Sequence, residues 1–337
     1  MDRLFSLPPA AFCCGLLLLS VSFLNGATDA PNAIAAAVAA GALSYRRARW
    51  LSAVCNFIGG VGMALFCGGV GKTMISLTEL DGAGSRGIPA LSAVLLSVIL
   101  FSACAWRLGL PTSESHAAAA GLCGAVFALT GDIHAINGDS LLRILFGMAG
   151  AVLLSFFAAF LLLRIIRRSI KGGGEVLRRA QILGAVGSSL AHGAQDGQKL
   201  AGMYFLIFSF SGAGTMAGDI PLSLTVTVAL FMAAGCLFCG RRIIRKTAEE
   251  MVSPDACRAV TADISSALCL FLFSLFGIPA STTHAKNAAL LGASSAEDPG
   301  DVHLGIAGEL VLSWLLTFPV CMLLGFGLTH LFLFLYR

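Results

Sequence analysis

Apolar residues fill long stretches of the chain, and polar residues collect in short segments between them. Residues 10–24, 50–70, 91–106, 141–163 and 311–328 contain at most one charged residue per stretch. A helix of ~20 residues crosses a hydrocarbon core of about 30 Å. The pattern therefore predicts a membrane protein built from apolar helices.

The composition excludes a soluble globular protein. Of 337 residues, 57% are apolar and 12% are charged, against roughly 25% charged residues in soluble domains. The net charge is only +4, and lysines and arginines lie in short loops, so a nucleic-acid partner is not expected. Most of the 11 cysteines lie in apolar runs. The Cys236/Cys239 pair has no second pair to complete a zinc site.

Two motifs occur twice in the chain at nearly the same offset. The acidic motif, Asn25-Gly-Ala-Thr-Asp29, matches His192-Gly-Ala-Gln-Asp196 after 167 residues. The hydroxyl motif, residues 109–117 (GLPTSESHA), matches residues 277–285 (GIPASTTHA) after 168 residues. The first 25 residues resemble a signal peptide, but because the next motif recurs we expect them in the mature protein. We predict membrane repeats at 1–168 and 176–337, joined by a basic, glycine-rich cytoplasmic linker at 169–175.

The distribution of arginines predicts that the two repeats have inverted topology. Arg46, Arg47 and Arg49 follow the first segment of repeat 1, whereas residues 210–219 in repeat 2 contain no cation. After the second segment the bias reverses, with Arg241, Arg242, Arg245 and Lys246 in repeat 2. Positive residues mark cytoplasmic loops, so equivalent segments run in opposite directions.

Inversion requires an odd number of membrane segments in each repeat, and the pattern shows about five. They are 8–44, 48–71, 88–106, 109–130 and 141–163, with counterparts near 176–210, 222–243, 258–276, 277–292 and 304–331. Segment 8–44 would be about 56 Å long as one helix, so we expect a break at Asn25–Pro31. The predicted fold is an all-α integral membrane protein whose broken or re-entrant helices meet at the midplane.

The motifs suggest a site for a tetrahedral oxyanion. Asp29 before Pro31, and the hydroxyl residues after Pro111 and Pro279, are typical of helix starts. We expect four helix N-termini, two per repeat, to converge and to offer amide and hydroxyl donors to an anion. Carboxylates beside them can hold a co-transported cation and accept a hydrogen bond from a P–OH group, which favours phosphate over sulfate.

The four motifs resemble those of the PiT inorganic phosphate transporter family, G-A-N-D-x-x-N-A and P-x-S-T-T-H in each half. The resemblance covers nearly the whole chain and implies secondary transport of phosphate, coupled to Na⁺ or H⁺. Thr28 and Gln195 stand where the family usually has Asn, and Glu114 replaces a Thr. Lys199 occupies the position equivalent to Asn32, so its fixed charge could replace a coupling ion or bind the anion.

Two sets of candidate site residues follow. The expected phosphate-binding residues are Asp29, Asn32, Ser113, Glu114, Ser115, Asp196, Lys199, Ser281, Thr282 and Thr283. The expected ligands of the coupling cation, if it is Na⁺, are Asn25, Thr28, Asp29, Gln195 and Asp196.

The leading hypothesis is a phosphate symporter of the plasma membrane that works by alternating access. It needs phosphate, Na⁺ or H⁺ and a lipid bilayer, but no further cofactor. The sequence leaves open whether the protein forms a homodimer, because lipid-facing and subunit-facing surfaces have the same composition. Three alternatives remain: a transporter of another oxyanion such as sulfate, an ion channel, and an intramembrane metalloenzyme using His116, His192, His284 and Asp residues. The symmetric motifs and the lack of close ligand pairs argue against an enzyme.

Overall fold

The computed structural model describes residues 7–78, 84–108, 113–169, 174–212, 220–240, 244, 255–297, 300 and 304–336. Residues 109–112 of the first hydroxyl motif lie outside this set, as do Arg241, Arg242, Arg245 and Lys246, residues 170–173 of the predicted linker, and residues 213–219. The described chain is almost entirely helical, as predicted.

The helices of repeat 1 follow the predicted segments. They are α1 (Pro9–Thr28), α2 (Ala30–Ala39), α3 (Tyr45–Phe66), α4 (Gly69–Ser76), α5 (Gly87–Leu108), α6 (Glu114–Thr130) and α7 (Gly138–Ser169). Those of repeat 2 are α8 (Gly174–Phe210), α9 (Leu222–Leu237), α10 (Ala256–Leu275), α11 (Thr282–Glu297) and α12 (Leu304–Leu335).

Several helices have the length and composition of membrane spans. In the described ranges, six qualify when α1 and α2 are counted together: Pro9–Ala39, Tyr45–Phe66, Gly87–Ala105, Gly138–Arg168, Ala256–Leu275 and Val311–Leu335. In contrast, α6 and α11 have 17 and 16 residues, and each begins at a hydroxyl motif. They are shorter than the ~20 residues of a full crossing, as expected of helices that start inside the membrane.

The acidic motif breaks the helix in repeat 1 but not in repeat 2. Asp29 separates α1 from α2, which confirms the predicted break, whereas α8 runs without interruption through His192–Asp196. The expectation of a helix start at both copies is therefore wrong for the second. Pro31 lacks an amide hydrogen and disturbs the helix, while the equivalent residue Gln198 keeps one.

The two inverted repeats interlock through equivalent pairs of helices. Helix α6 packs on α12 and α11 on α7, while α3 packs on α8 and α9 on α1. The glycine of each acidic motif makes such a crossing tight. A Cβ on Gly26 would lie 1.9 Å from the Met232 carbonyl oxygen, and one on Gly193 would lie 2.1 Å from that of Asn56. Each motif is thereby held against a helix of the other repeat.

Candidate functional site

The candidate site residues come together in the interior of the protein. All thirteen residues predicted to bind phosphate or cation are buried. Hydrogen bonds connect α1, α6 and α11 with α8, and α2 with α11. The site is therefore built from both repeats.

Lys199 is held by three acceptors at the centre of the site. Its ammonium group donates to Asp196 Oδ1 at 2.7 Å and to Ser115 Oγ at 2.8 Å. It also donates to the carbonyl oxygen of Ala280, next to the start of α11. These three bonds use all the hydrogens of the ammonium group. Lys199 thus lies in a shell of oxygen atoms of the kind that binds a metal cation.

Asp196 receives hydrogen bonds from three other helices. Ser115 Oγ of α6 lies 3.3 Å from Oδ1. Asn25 Nδ2 of α1 and Thr282 Oγ1 of α11 lie 3.2 Å and 3.3 Å from Oδ2. Together with Lys199, these donors compensate the buried carboxylate.

Asp29, His192 and Asp196 form a cluster of potential cation ligands. Each offers one ligand atom, and these atoms lie within 4.8 Å of one another. The cluster confirms that the two acidic motifs meet. His192 was not among the predicted ligands of the coupling cation, although its spacing of four residues from Asp196 places both on one helix face.

The hydrogen bonds of His192 define which of its nitrogens faces the cluster. Nδ1 lies 2.5 Å from Asn56 Oδ1, and the Asn56 amide nitrogen donates to Ser52. Nδ1 therefore carries the proton in the neutral ring. Nε2 lies 3.3 Å from Asp196 Oδ2, and it has no hydrogen-bond partner among the residues that the structure describes. Two lone pairs face each other there, and a bound cation or a second proton on the ring would remove the repulsion.

Glu114 and Thr28 form a second polar contact in the site. Thr28 Oγ1 lies 3.0 Å from Glu114 Oε1 and 2.8 Å from the Leu24 carbonyl oxygen. The hydroxyl has one hydrogen, so it can donate to only one of these acceptors. Within the described residues, Glu114 Oε2 and Asp29 Oδ1 have no hydrogen-bond partner.

The two hydroxyl motifs cap α6 and α11 in the same way. Ser113 Oγ accepts a hydrogen bond from the His116 amide at 3.3 Å, and Ser281 Oγ accepts one from the His284 amide at 3.3 Å. Each serine is thus an N-cap, and its own hydroxyl hydrogen remains available to a ligand. Thr283 Oγ1 likewise accepts from Asn32 Nδ2 at 3.3 Å.

The ends of the two hydroxyl motifs meet. The rings of His116 and His284, which are equivalent positions of the repeats, have centroids 4.4 Å apart. Only residues near the pseudo-two-fold axis can touch their own counterparts. The axis therefore passes beside the starts of α6 and α11, where the site lies.

Gln195 binds the non-helical segment that connects α10 with α11. Its Nε2 lies 3.2 Å from the Leu270 carbonyl oxygen and 3.3 Å from that of Ile278, and its Oε1 accepts from the Ala280 amide at 3.1 Å. The side chain thus binds the backbone of α10 and of the segment that connects α10 with α11. The structure indicates a positioning role, and cation ligation by Gln195 remains a prediction.

We expect Gln195→Ala to lower the free energy of unfolding by about 1–3 kcal/mol, because it leaves buried backbone groups unpaired. Gln198→Ala is the matched control, since the Gln198 amide donates within its own helix to Ala194. Thermal unfolding of the purified proteins in detergent measures the difference. Equal loss of stability in both variants would contradict the positioning role.

Comparison with known proteins identifies relatives over most of the chain. A model of a phosphate transporter family matches twice, at residues 25–173 and 171–325. A "probable low-affinity inorganic phosphate transporter" of Mycobacterium bovis is 33% identical over 321 residues, covering 93% of this chain and 76% of that protein. A protein of the same name from Bacillus subtilis is 29% identical over 330 residues, covering 96% and 97%. These relatives are named as transporters, not as enzymes.

A solved structure, "the sodium-dependent phosphate transporter", shares the fold. It matches with a TM-score of 0.89 over 98% of this chain and 100% of that chain, at 21% sequence identity. The match confirms the predicted fold class, and the double match of the family model agrees with an internal duplication. The protein is a multi-pass membrane protein and belongs to the phosphate transporter family, in agreement with the resemblance of its motifs.

Proposed function

We propose that this protein carries inorganic phosphate across the membrane together with Na⁺, by alternating access of its two repeats to a shared buried site. One observation carries the proposal: ligand atoms of Asp29, His192 and Asp196 lie within 4.8 Å of one another. Both repeats contribute to this cluster, and two hydroxyl-lined helix starts lie in the same network of hydrogen bonds.

The buried charges explain why an anion would need a cation. Lys199 compensates Asp196, whereas in the described part of the chain Asp29 and Glu114 have no lysine or arginine within ion-pair distance. A phosphate anion entering beside uncompensated carboxylates would be repelled in this low-dielectric environment. A cation bound by Asp29, His192 and Asp196 (the Asp29 cluster) would remove that repulsion, so binding of the cation and binding of phosphate would be coupled.

Na⁺ suits the donors around Asp29. The carboxylates of Asp29 and Asp196 and the amide oxygen of Asn25, which has no hydrogen-bond partner in the described ranges, are hard oxygen ligands. Hard cations prefer oxygen. His192 Nε2 faces the Asp196 carboxylate and adds a nitrogen ligand. The related solved structure is named a sodium-dependent phosphate transporter, which supports this choice.

Phosphate suits the helix starts. The hydroxyl hydrogens of Ser113, Ser281 and Thr283 and the first-turn amides of α6 and α11 would donate to its oxygens. A P–OH group of the monohydrogen form would donate to a carboxylate such as Glu114, whose Oε2 has no partner among the described residues. Sulfate at neutral pH has no such hydrogen, so the same carboxylate would repel it.

The position of the site supports alternating access. Asn25 and Asp29 belong to repeat 1, whereas Asp196 and Thr282 belong to repeat 2. Rocking of one repeat against the other would open the site to one side at a time. Ligands that contact both repeats would favour the closed arrangement.

The contact between Thr28 and Glu114 favours a second candidate, proton coupling. If the Thr28 hydroxyl donates to the Leu24 carbonyl oxygen, the 3.0 Å contact is a hydrogen bond only when Glu114 Oε1 is protonated and donates to Thr28 Oγ1. A protonated Glu114 would be a proton carrier beside the substrate. This function differs from the first only in the driving ion.

Uptake of radioactive phosphate into proteoliposomes tests the proposed function. With purified protein, we expect an inward Na⁺ gradient to drive accumulation, and excess sulfate to leave it unchanged. Uptake driven by a pH gradient without Na⁺ would shift the coupling to protons. Absence of phosphate flux under either gradient would overturn the proposal.

We expect Asp29→Asn to reduce Na⁺-driven uptake about tenfold or more, since interactions with a charged group contribute about 1.5–3 kcal/mol each. Asp132→Asn is the control, because Asp132 is exposed in a loop. Initial uptake rates are compared at equal amounts of reconstituted protein. Full activity of Asp29→Asn would remove this carboxylate from the mechanism.

Lys199→Asn makes the two repeats more alike, because Asn32 is the residue equivalent to Lys199. We expect uptake to depend more steeply on Na⁺ concentration, with a higher Hill coefficient, since the oxygen shell around the ammonium would become available to a free cation. Lys199→Arg keeps the charge and should keep the wild-type Na⁺ dependence. An unchanged Hill coefficient in Lys199→Asn would give Lys199 a purely structural role.

A further inference from the structure

A second buried ion pair lies outside the duplicated motifs. The ammonium group of Lys286 in α11 contacts Asp263 Oδ1 in α10, and the two side chains are 4% and 0% exposed. Neither residue was among the predicted site residues. Two charges at this depth are costly to bury, so their presence calls for an explanation.

The pair does not belong to the symmetric framework of the repeats. The residues 168 positions earlier are Leu95 and Ala118, and both are buried apolar residues. Repeat 1 therefore has no charge at the two equivalent positions. The ion pair is a special feature of repeat 2.

The surroundings of Asp263 provide oxygen atoms for a cation. Ser188 Oγ of α8 lies 3.1 Å from Asp263 Oδ1, and Oδ2 has no hydrogen-bond partner among the described residues. Gly184 makes room for the side chain, because a Cβ there would lie 2.7 Å from the Asp263 Cβ. A carboxylate and a hydroxyl thus lie side by side, and Lys286 places a positive charge at the carboxylate.

Lys286 also reaches the candidate transport site. A cavity of about 10 Å³ lies between them and is lined by Asp29, Asn32, Ser188, His192, Thr282 and Lys286, among others. This volume is comparable to that needed for one water molecule. A particle of that size, but not a phosphate ion, could therefore stand between the Asp29 cluster and Lys286.

We infer that Asp263 and Ser188 form a monovalent-cation site that the ammonium group of Lys286 occupies as a tethered cation. The lysine replaces a free ion and stays with the protein during transport. This rests on the proposed function in one respect: the pair lowers by one the number of free cations that the buried carboxylates require. The existence of the site itself does not depend on phosphate transport.

The test removes the tethered charge and asks whether Na⁺ replaces it. We expect K286M to bind one Na⁺ more than the wild-type protein, measured as radioactive sodium retained by purified protein in detergent. We also expect Na⁺, relative to choline, to raise the apparent Tm of K286M more than that of the wild type. Neither measurement requires phosphate, so each remains informative if the proposed transport fails.

The double variant D263N/K286M is the control, since it removes both charges. It should bind as much Na⁺ as the wild type and lose the additional Tm shift. Equal Na⁺ binding by K286M and wild type, or equal binding by K286M and the double variant, would overturn the inference.

If K286M does not fold, K286N replaces it, because its amide can donate a hydrogen bond to Asp263. Folding of either variant in Na⁺ but not in choline supports the site. If neither folds in Na⁺ while D263N/K286M folds, a free cation cannot replace the lysine and the inference is wrong.

Discussion

Compensation of buried charge is the constraint on which the rest of this structure depends. Charged groups at membrane depth are costly unless they are paired and hydrogen-bonded. Asp196 has Lys199, and Asp263 has Lys286. Asp29 and Glu114 each keep an oxygen without a partner in the described part of the chain. In the proposed function, these two carboxylates are the ones whose charge a transported ion would compensate.

The interlocked repeats bring these charges to one place. Each acidic motif lies on the first long helix of its repeat, and its glycine packs that helix against a helix of the other repeat. The contact between His116 and His284 shows that the starts of α6 and α11 lie beside the pseudo-two-fold axis. A site on such an axis is shared by both halves, so relative movement of the repeats must change it.

The two repeats are nevertheless not equivalent at the site. Pro31 breaks the first helix beside Asp29, whereas α8 continues past Asp196. Lys199 stands where repeat 1 has Asn32, and Lys286 stands where it has Ala118. Both lysines belong to repeat 2. Repeat 2 therefore carries its own positive charges, and repeat 1 contributes the carboxylates that lack them.

The sequence by itself determined the membrane fold, the duplication and the candidate site residues that the structure buries together, because apolar segments and motifs at a common offset are visible along the chain. It did not determine the continuity of α8, since the shared motif suggested a break that depends on Pro31. Only the tertiary structure decided that His192 joins the Asp29 cluster and that Gln195 binds the backbone before α11. The pairing of Lys286 with Asp263 was equally invisible, because neither residue lies in a motif shared by both repeats and their contact depends on how α10 packs against α11.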